Sequence, residues 1–155
     1  MSIEIRQAQL ADVQTLVAHR AAMFRDMGYR DDAALDEMAV RFRPWLERMM
    51  RAGEYLAWLA EAEDDRIAAG AGLWLMDWPP HMIGSGDRRG NILNVYTEPE
   101  FRKQGLARKL TVAAMEWCRD HGVDCVILHA SEEGRPLYES LGFERTNEMR
   151  IRFPK

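Results

Sequence analysis

The stretch Val95-Tyr96-Thr97-Glu98-Pro99-Glu100-Phe101-Arg102-Lys103-Gln104-Gly105-Leu106-Ala107-Arg108-Lys109-Leu110 contains a strand end, a turn and a helix start. Asn91 to Thr97 reads as a strand, and Pro99 stops it. Beyond the turn, Leu106, Leu110, Ala113, Ala114 and Trp117 form an apolar helical stripe, and Gly122 closes the helix. Gly105 falls where that helix opens. The first N–H groups of a helix have no partner within it, and the helix dipole adds partial positive charge there. Gly105 has no side chain to bar a ligand, and Ala107 is nearly as small. Arg102, Lys103 and Arg108 bring positive charge to the same turn. The combination suits a pyrophosphate, or else is an ordinary solvated helix start with scattered arginines. Two other phosphate-binding patterns do not fit. Gly105 is followed by Leu106 and not by the Lys-Ser/Thr of a P-loop, and Gly84, Gly86 and Gly90 lack the spacing of the dinucleotide fingerprint.

Outward from this stretch, the pattern predicts a mixed α/β order. Ile3 and Ile5 alternate with polar neighbours, as in a short strand. Leu10, Val13, Leu16, Val17, Ala21 and Phe24 recur at helical spacing, with Gly28 as the stop. Asp31 and Asp32 are caps for a second helix carrying Leu35, Met38, Phe42, Trp45 and Met49 on one face. Pro44 inside it predicts a kink or two helices meeting, and Gly53 ends it. Tyr55–Glu61 and Arg66–Met76 read as a hairpin turning at Glu63-Asp64-Asp65. Asp77 to Gly90, rich in Pro and Gly, reads as a long mobile loop facing substrate. Asp124 to His129 is apolar enough for a central strand. Pro136 to Leu141 is a short helix, and a final extended region ends in the alternating Met149, Ile151 and Phe153. A hairpin meander followed by strand-helix-strand predicts a mixed sheet flanked by helices.

Composition sets the outer bounds. A chain of 155 residues, 47% hydrophobic and 30% charged, is the size of one domain with its own core. With 21 Lys and Arg against 25 Asp and Glu, the formal net charge of −4 argues against a nucleic-acid or anionic-membrane coat. Cys118 and Cys125 are too few for a disulfide framework and lack CxxC spacing, and no His pair has metal-ligand spacing. No basic-then-apolar leader or membrane-length apolar run is present, so the expectation is a soluble cytoplasmic protein.

Arg102-Lys103-Gln104-Gly105-Leu106-Ala107 resembles the Arg/Gln-x-x-Gly-x-Gly/Ala signature of the GNAT superfamily, the acyl-CoA-dependent N-acetyltransferases. Downstream, Arg135-Pro136-Leu137-Tyr138-Glu139-Ser140-Leu141-Gly142-Phe143 is similar to that family's second signature, a short helix bearing a tyrosine and followed by Leu-Gly-Phe. One helix and one strand separate them, as in the family. The likeness is close from Asn91 to about Phe153 and extends to the N-terminal half only in element order. It implies an α/β (α+β) fold with a mixed, mostly antiparallel central sheet of about six to seven strands flanked by helices, in one domain over residues 1–155. It implies acetyl-CoA as cosubstrate, no metal, and a primary amine on a small molecule or a peptide as acceptor. A non-catalytic acyl-CoA sensor on the same fold, or a transferase of another acyl group, is the alternative. Homodimers are frequent among similar proteins, and no motif here marks an interface.

The resemblance also implies roles. Strand residues Val95, Tyr96 and Thr97 carry backbone groups for the pantetheine arm, and Arg102 holds the signature's first position. The backbone of Gln104, Gly105, Leu106 and Ala107, with Lys103 and Arg108 beside it, holds the pyrophosphate. Ser131 stands where many relatives carry an asparagine that touches the pantetheine. Tyr138 faces the CoA sulfur. The base is less legible. Glu98 follows the cofactor strand and acts through water, or is a solvated turn carboxylate. Asp77 is a second candidate or a loop cap, and His129 a third or a satisfied strand-end histidine. His19, His81 and His121 read as surface or helix residues. Among the tryptophans, Trp45 and Trp117 read as core, and Trp74 and Trp78 read as core or dimer packing, or as the better candidates for an acceptor pocket. Glu132 and Glu133 read as a solvated turn or an attraction for a cationic acceptor.

Overall fold

The computed structural model describes residues 2–84 and 86–155; Met1, and Ser85 within the expected loop, lie outside the described residues. Five strands form one sheet in the order β1 (Ile3–Gln7), β2 (Tyr55–Ala62), β3 (Ile67–Asp77), β4 (Arg88–Thr97) and β5 (Val126–Leu128). β1 to β4 pair antiparallel, and β5 pairs parallel to β4. α1 (Val13–Asp26) follows a short 3-10 turn at Leu10–Asp12, and α2 is Asp32–Arg51. α3 (Leu106–Asp120) and α4 (Arg135–Ser140) follow β4 and β5. No helix among the described residues is long and apolar enough to cross a membrane.

Strand alternation divides the core into two layers. Tyr55, Ala57 and Leu59 of β2 face Val13, Leu16 and Val17 of α1 and Phe42 and Leu46 of α2. Trp58, Ala60 and Ala62 face the other way, onto Leu106, Leu110, Ala114 and Cys118 of α3. The predicted caps and stops hold. The Asp31 carboxylate accepts from the Ala34 N–H at 3.1 Å, and Gly28, Gly53 and Gly122 stand at positive φ after α1, α2 and α3.

Four expectations are corrected. Pro44 does not divide α2, which runs unbroken through it; the carbonyl left without a donor belongs to Val40, a residue 73% exposed, where water can reach. The loop from Asp77 is shorter than expected, because Asp77 still pairs with Arg88 and the Trp78 N–H donates to the Asp87 carbonyl at 2.9 Å. β5 is not central but lies at the sheet edge, with all of Val126, Ile127 and Leu128 partly exposed. Among the described residues the sheet has five strands and not six or seven, because residues 144–155 join no ladder.

The Ala-Ala-Gly-Ala-Gly run of β3, residues 68–72, is a trough. A Cβ on Gly70 would lie 2.9 Å from His19 Nδ1, and one on Gly72 would lie 1.9 Å from the Tyr55 hydroxyl oxygen. His19, expected at the surface or on a helix, lies on α1 and is buried, with 4% of its surface exposed. Burial lowers its pKa to about 4.

Two predictions follow from this packing. Gly72→Ala forces Tyr55, itself 2% exposed, out of its slot, and urea unfolding should show a loss of about 3 kcal/mol or more. His19 titrates near 6.5 unfolded and near 4 folded, so the unfolded chain binds its proton first. Stability is full above pH 6.5 and falls between pH 6.5 and 4, by up to about 3 kcal/mol from this group. His19→Gln should flatten that part of the pH–stability curve; an equally steep curve in the variant would place the proton uptake elsewhere.

Candidate functional site

The site begins with a slip in register. Gly72 of β3 faces Leu93 of β4, but Gly70 faces Tyr96, so β4 holds one extra residue. That residue is Asn94, at φ 57, a conformation that asparagine adopts more readily than other side chains. A bulge bends its strand and increases its twist. β4 pairs with β5 only through Gly90, Asn91 and Ile92. Past the bulge, Val95, Tyr96 and Thr97 pair with β3 alone or not at all, and a wedge opens between β4 and β5.

The Asn94 side chain is fixed on both ends. Arg20 Nη1 donates to its Oδ1 at 2.6 Å, and its Nδ2 donates to the Tyr55 hydroxyl at 2.9 Å. The Arg20 guanidinium lies 4.9 Å from the ring centres of both Phe24 and Phe42, and burial lowers its pKa. Burial pushes the Tyr55 phenol up to about 12, so it stays neutral.

At one end of the wedge is the start of α3. Lys103 has φ 64 and Gly105 φ 77, on either side of Gln104. Alternation of left-handed and ordinary residues turns successive N–H groups toward one concave side, which suits an anion. No side chain caps α3, and a Cβ on Gly105 would meet nothing within 4 Å. Lys103, Gln104, Gly105 and Arg108 are exposed, Leu106 is buried beneath, and Ala107 is half-buried. Arg108 Nη2 donates to Ser140 Oγ at 2.7 Å, which ties this turn to α4. Arg102 is occupied otherwise: its Nη2 meets Asp26 Oδ2 at 2.6 Å and its Nε donates to the Thr97 carbonyl at 2.9 Å. Its guanidinium thus straps the end of α1 to the end of β4.

At the other end stands α4. Ser131 Oγ accepts from the Gly134 N–H at 3.1 Å and the Ser131 carbonyl from the Arg135 N–H at 3.0 Å, which sets the entry to this helix. Tyr138 is half-buried, its ring edge-on to Phe143 at 6.0 Å, and burial raises its pKa. Tyr138, Ser131, Val95, Tyr96, Thr97, Arg102, Lys103, Gly105, Leu106, Ala107 and Arg108 line one cavity of about 2180 Å³.

Glu98 and Gln104 are not on that wall. Glu98 Oε1 lies 3.9 Å from His19 Nε2 with its side chain 37% exposed. Asp77 pairs with Arg88 at the far end of the hairpin. His129 does line the cavity but is exposed, with Nε2 3.5 Å from Glu148 Oε2. Trp78 also lines it, under the Arg89 guanidinium at 3.7 Å, whereas Trp74 packs on Trp45 at 5.8 Å. Among the described residues no three His, Cys, Asp or Glu side chains converge as a metal site.

Three residues that build the site carry no motif. Asn94, Arg20 and Tyr55 are placed by the bulge, and the available signal was an asparagine inside the apolar run Ile92-Leu93-Asn94-Val95-Tyr96.

Comparison with known proteins agrees with this geometry. A profile of the Acetyltransferase (GNAT) family matches residues 16–143. A crystal structure of a GCN5-related N-acetyltransferase from Ralstonia eutropha JMP134 superposes with a TM-score of 0.89 at 36% identity, covering 98% of this chain and 99% of that one. A predicted acetyltransferase from Clostridium acetobutylicum, solved with acetyl-CoA, gives 0.89 at 26% identity over 98% and 96%. A glucosamine 6-phosphate N-acetyltransferase from Trypanosoma brucei brucei is 33% identical over 66% of this chain and 67% of its own. Matches to mycothiol acetyltransferases span 20% of the Thermobifida fusca protein and 43% of the Thermobispora bispora protein, so this chain is much shorter than those relatives. With the profile covering residues 16–143 and a near-complete superposition at 36% identity, the chain belongs to the Acetyltransferase (GNAT) family.

Proposed function

We propose that this chain transfers the acetyl group of acetyl-CoA to a primary amine on a small molecule, by direct attack of the amine on the thioester. The observation that carries this is the single wedge with an open anion cradle at Gly105 and a half-buried phenol at Tyr138 on the same wall. The N–H groups from Gln104 to Ala107, with Lys103 and Arg108 beside them, take the pyrophosphate. The freed edge of β4 at Val95 to Thr97 offers backbone groups to the pantetheine arm, as an added strand would use them. A relative named for glucosamine 6-phosphate supports a small-molecule amine as acceptor.

The chemistry sets what the residues must do. A free primary amine has a pKa of about 10.4, so reaching its neutral form at pH 7 costs about 4–5 kcal/mol. The tetrahedral intermediate then expels a thiolate of pKa about 8.5. Burial keeps the Tyr138 proton on its oxygen through the neutral range. Full transfer from an ordinary phenol to the thiolate is uphill by about 2 kcal/mol. Tyr138 therefore acts by donating a hydrogen bond to the sulfur as charge builds, and completes proton transfer only as CoA leaves. Ser131 sets the turn before α4 and so the position of Tyr138. Arg102 acts through the strap to Asp26 and Thr97. Glu98, next to His19 and off the cavity wall, reaches the amine only through water.

Three experiments test this. Thiol release on mixing with acetyl-CoA and a panel of small amines should show turnover, and Tyr138→Phe should lower kcat by about 10²–10⁴-fold with CoA affinity nearly unchanged. CoA-dependent thermal stabilisation without turnover on any amine would leave only an acyl-CoA sensor; an unaltered kcat in the variant would remove Tyr138 from the reaction. If Glu98 relays the amine proton, Glu98→Gln should lose most activity at pH 7 and recover it as the pH approaches the pKa of the free amine. A loss equal at every pH would make Glu98 a structural residue.

A further inference from the structure

Arginines across this surface find carboxylates. Arg6, Arg25, Arg66, Arg102 and Arg135 each meet one between 2.6 and 2.9 Å. Arg89 does not. Its guanidinium lies over the Trp78 ring, 3.7 Å from the ring centre. The residue is half-buried, and its Nε is buried with no hydrogen-bond partner. No ion pair among the described residues includes it, not even with Asp87 two residues earlier. Taking a cation partly out of water without an anion is costly, and the face of one indole offsets only part of that cost.

The position of this arginine on the sheet gives the unpaired charge a use. On β4, Gly90 and Ile92 face α3. Arg89 and Leu93 therefore face the other way, and Leu93 packs with the α1 and α2 core. Arg89, Trp78, Met76 and Leu93 line the same cavity as Asn94 and Val95. On the reading above, the cosubstrate enters at Gly105 and runs along β4 from Thr97 toward Val95, so its thioester lies near Asn94. The acceptor then lies against the wall beyond, from Leu93 to Arg89. That wall is apolar and adaptable at Leu93 and Met76, and it ends in a cation. Five residues separate Asn94 from Arg89, about 16 Å of strand at about 3.3 Å per residue. Arg89 is too far to touch the reacting amine, but it can reach the other end of an extended acceptor.

We infer that Arg89, steadied by Trp78, is an anion subsite, and that the acceptor is an extended amine carrying a carboxylate or a phosphate at the end away from its nitrogen; this rests on the acetyl-transfer reading above. Stacking on the indole occupies the face of the guanidinium and leaves its edge N–H groups to fork onto two oxygens. A planar fork already held in place loses little freedom on binding. A carboxylate of the protein at this point would compete with the acceptor, and none pairs there. Selection works in both directions. An anionic acceptor gains a charge-assisted pair of hydrogen bonds, whereas a neutral one covers the guanidinium and leaves it unpaired. The chain's net charge of −4 does not oppose this, because the recognition is local to one cation.

Steady-state kinetics with acetyl-CoA and matched pairs of amines tests this. ε-Aminocaproic acid is compared with its amide, and aminohexyl phosphate with aminohexanol; the pair with the larger difference tells carboxylate from phosphate. The anionic member should have the higher kcat/KM, by roughly 10–100-fold. Arg89→Ala should abolish that preference, chiefly through KM, and Arg89→Lys should keep part of it, since it retains the charge without the fork. A second measurement needs neither turnover nor a variant. In isotope-labelled protein saturated with CoA, the Trp78 indole N–H and Arg89 Nε–H resonances should shift on titration with the acid or the phosphate and not with the amide or the alcohol. Such shifts without turnover of any amine would keep the anion subsite and contradict only acetyl transfer. Equal kcat/KM within both pairs, a preference that survives Arg89→Ala, or resonances unmoved by either anion overturns the proposal.

Discussion

The side chain of Asn94 makes two hydrogen bonds, one from Arg20 and one to Tyr55, and these hold a left-handed residue in the middle of the strand that carries the site. A residue other than glycine in that conformation costs on the order of 1–2 kcal/mol. A hydrogen bond to a charged group contributes about 1.5–3 kcal/mol, enough to offset it. The rest of the site geometry depends on that bulge. Without the extra residue, β4 would stay in register with β3 along its length, nothing would turn Val95 to Thr97 away from β5, and the wedge would close into sheet. Gly72 is part of the same arrangement, since it provides the space in which Tyr55 stands to receive the Asn94 amide.

The electrostatics follow the same economy of parts. The chain carries a net charge of −4, and the proposed anion site does not depend on overall attraction. Backbone N–H groups, turned inward by positive φ at Lys103 and Gly105, supply directed dipoles without desolvating a buried charge. The three cations at this turn divide the work. Lys103 is exposed at the cradle, Arg108 ties α3 to α4, and Arg102 ties α1 to β4. The burial of Tyr138 has a chemical consequence as well: it raises the phenol pKa, as the proposed donor role requires.

The part of this account legible in the sequence is the part written in short local motifs. The Gly105 turn and the Tyr138 helix are local: each needs particular residues at fixed spacing, and the structure puts both on one cavity. Helix caps such as Asp31 and stops such as Gly28 are local for the same reason. What could not be read arises from contacts distant in sequence. The burial of His19 depends on Gly70, and the role of Gly72 depends on Tyr55; in sequence, Ala68 to Gly72 looks only like a weak strand. β5 reads as central because Val126, Ile127 and Leu128 are all apolar, yet its outer edge is open in the single chain. Composition reports that a strand is apolar and not whether it has one neighbour in the sheet or two.

The central claim is that the bare amides opening α3 and the freed edge of β4 bind one extended cosubstrate. The most direct measurement is a titration of the isotope-labelled protein with CoA, followed through its backbone amide resonances. The account predicts the largest shifts at Gly105, Leu106 and Ala107, with a second set at Val95 and Thr97. Saturating CoA that leaves those amides unmoved, or moves mainly the residues of β1 and β2, would contradict it.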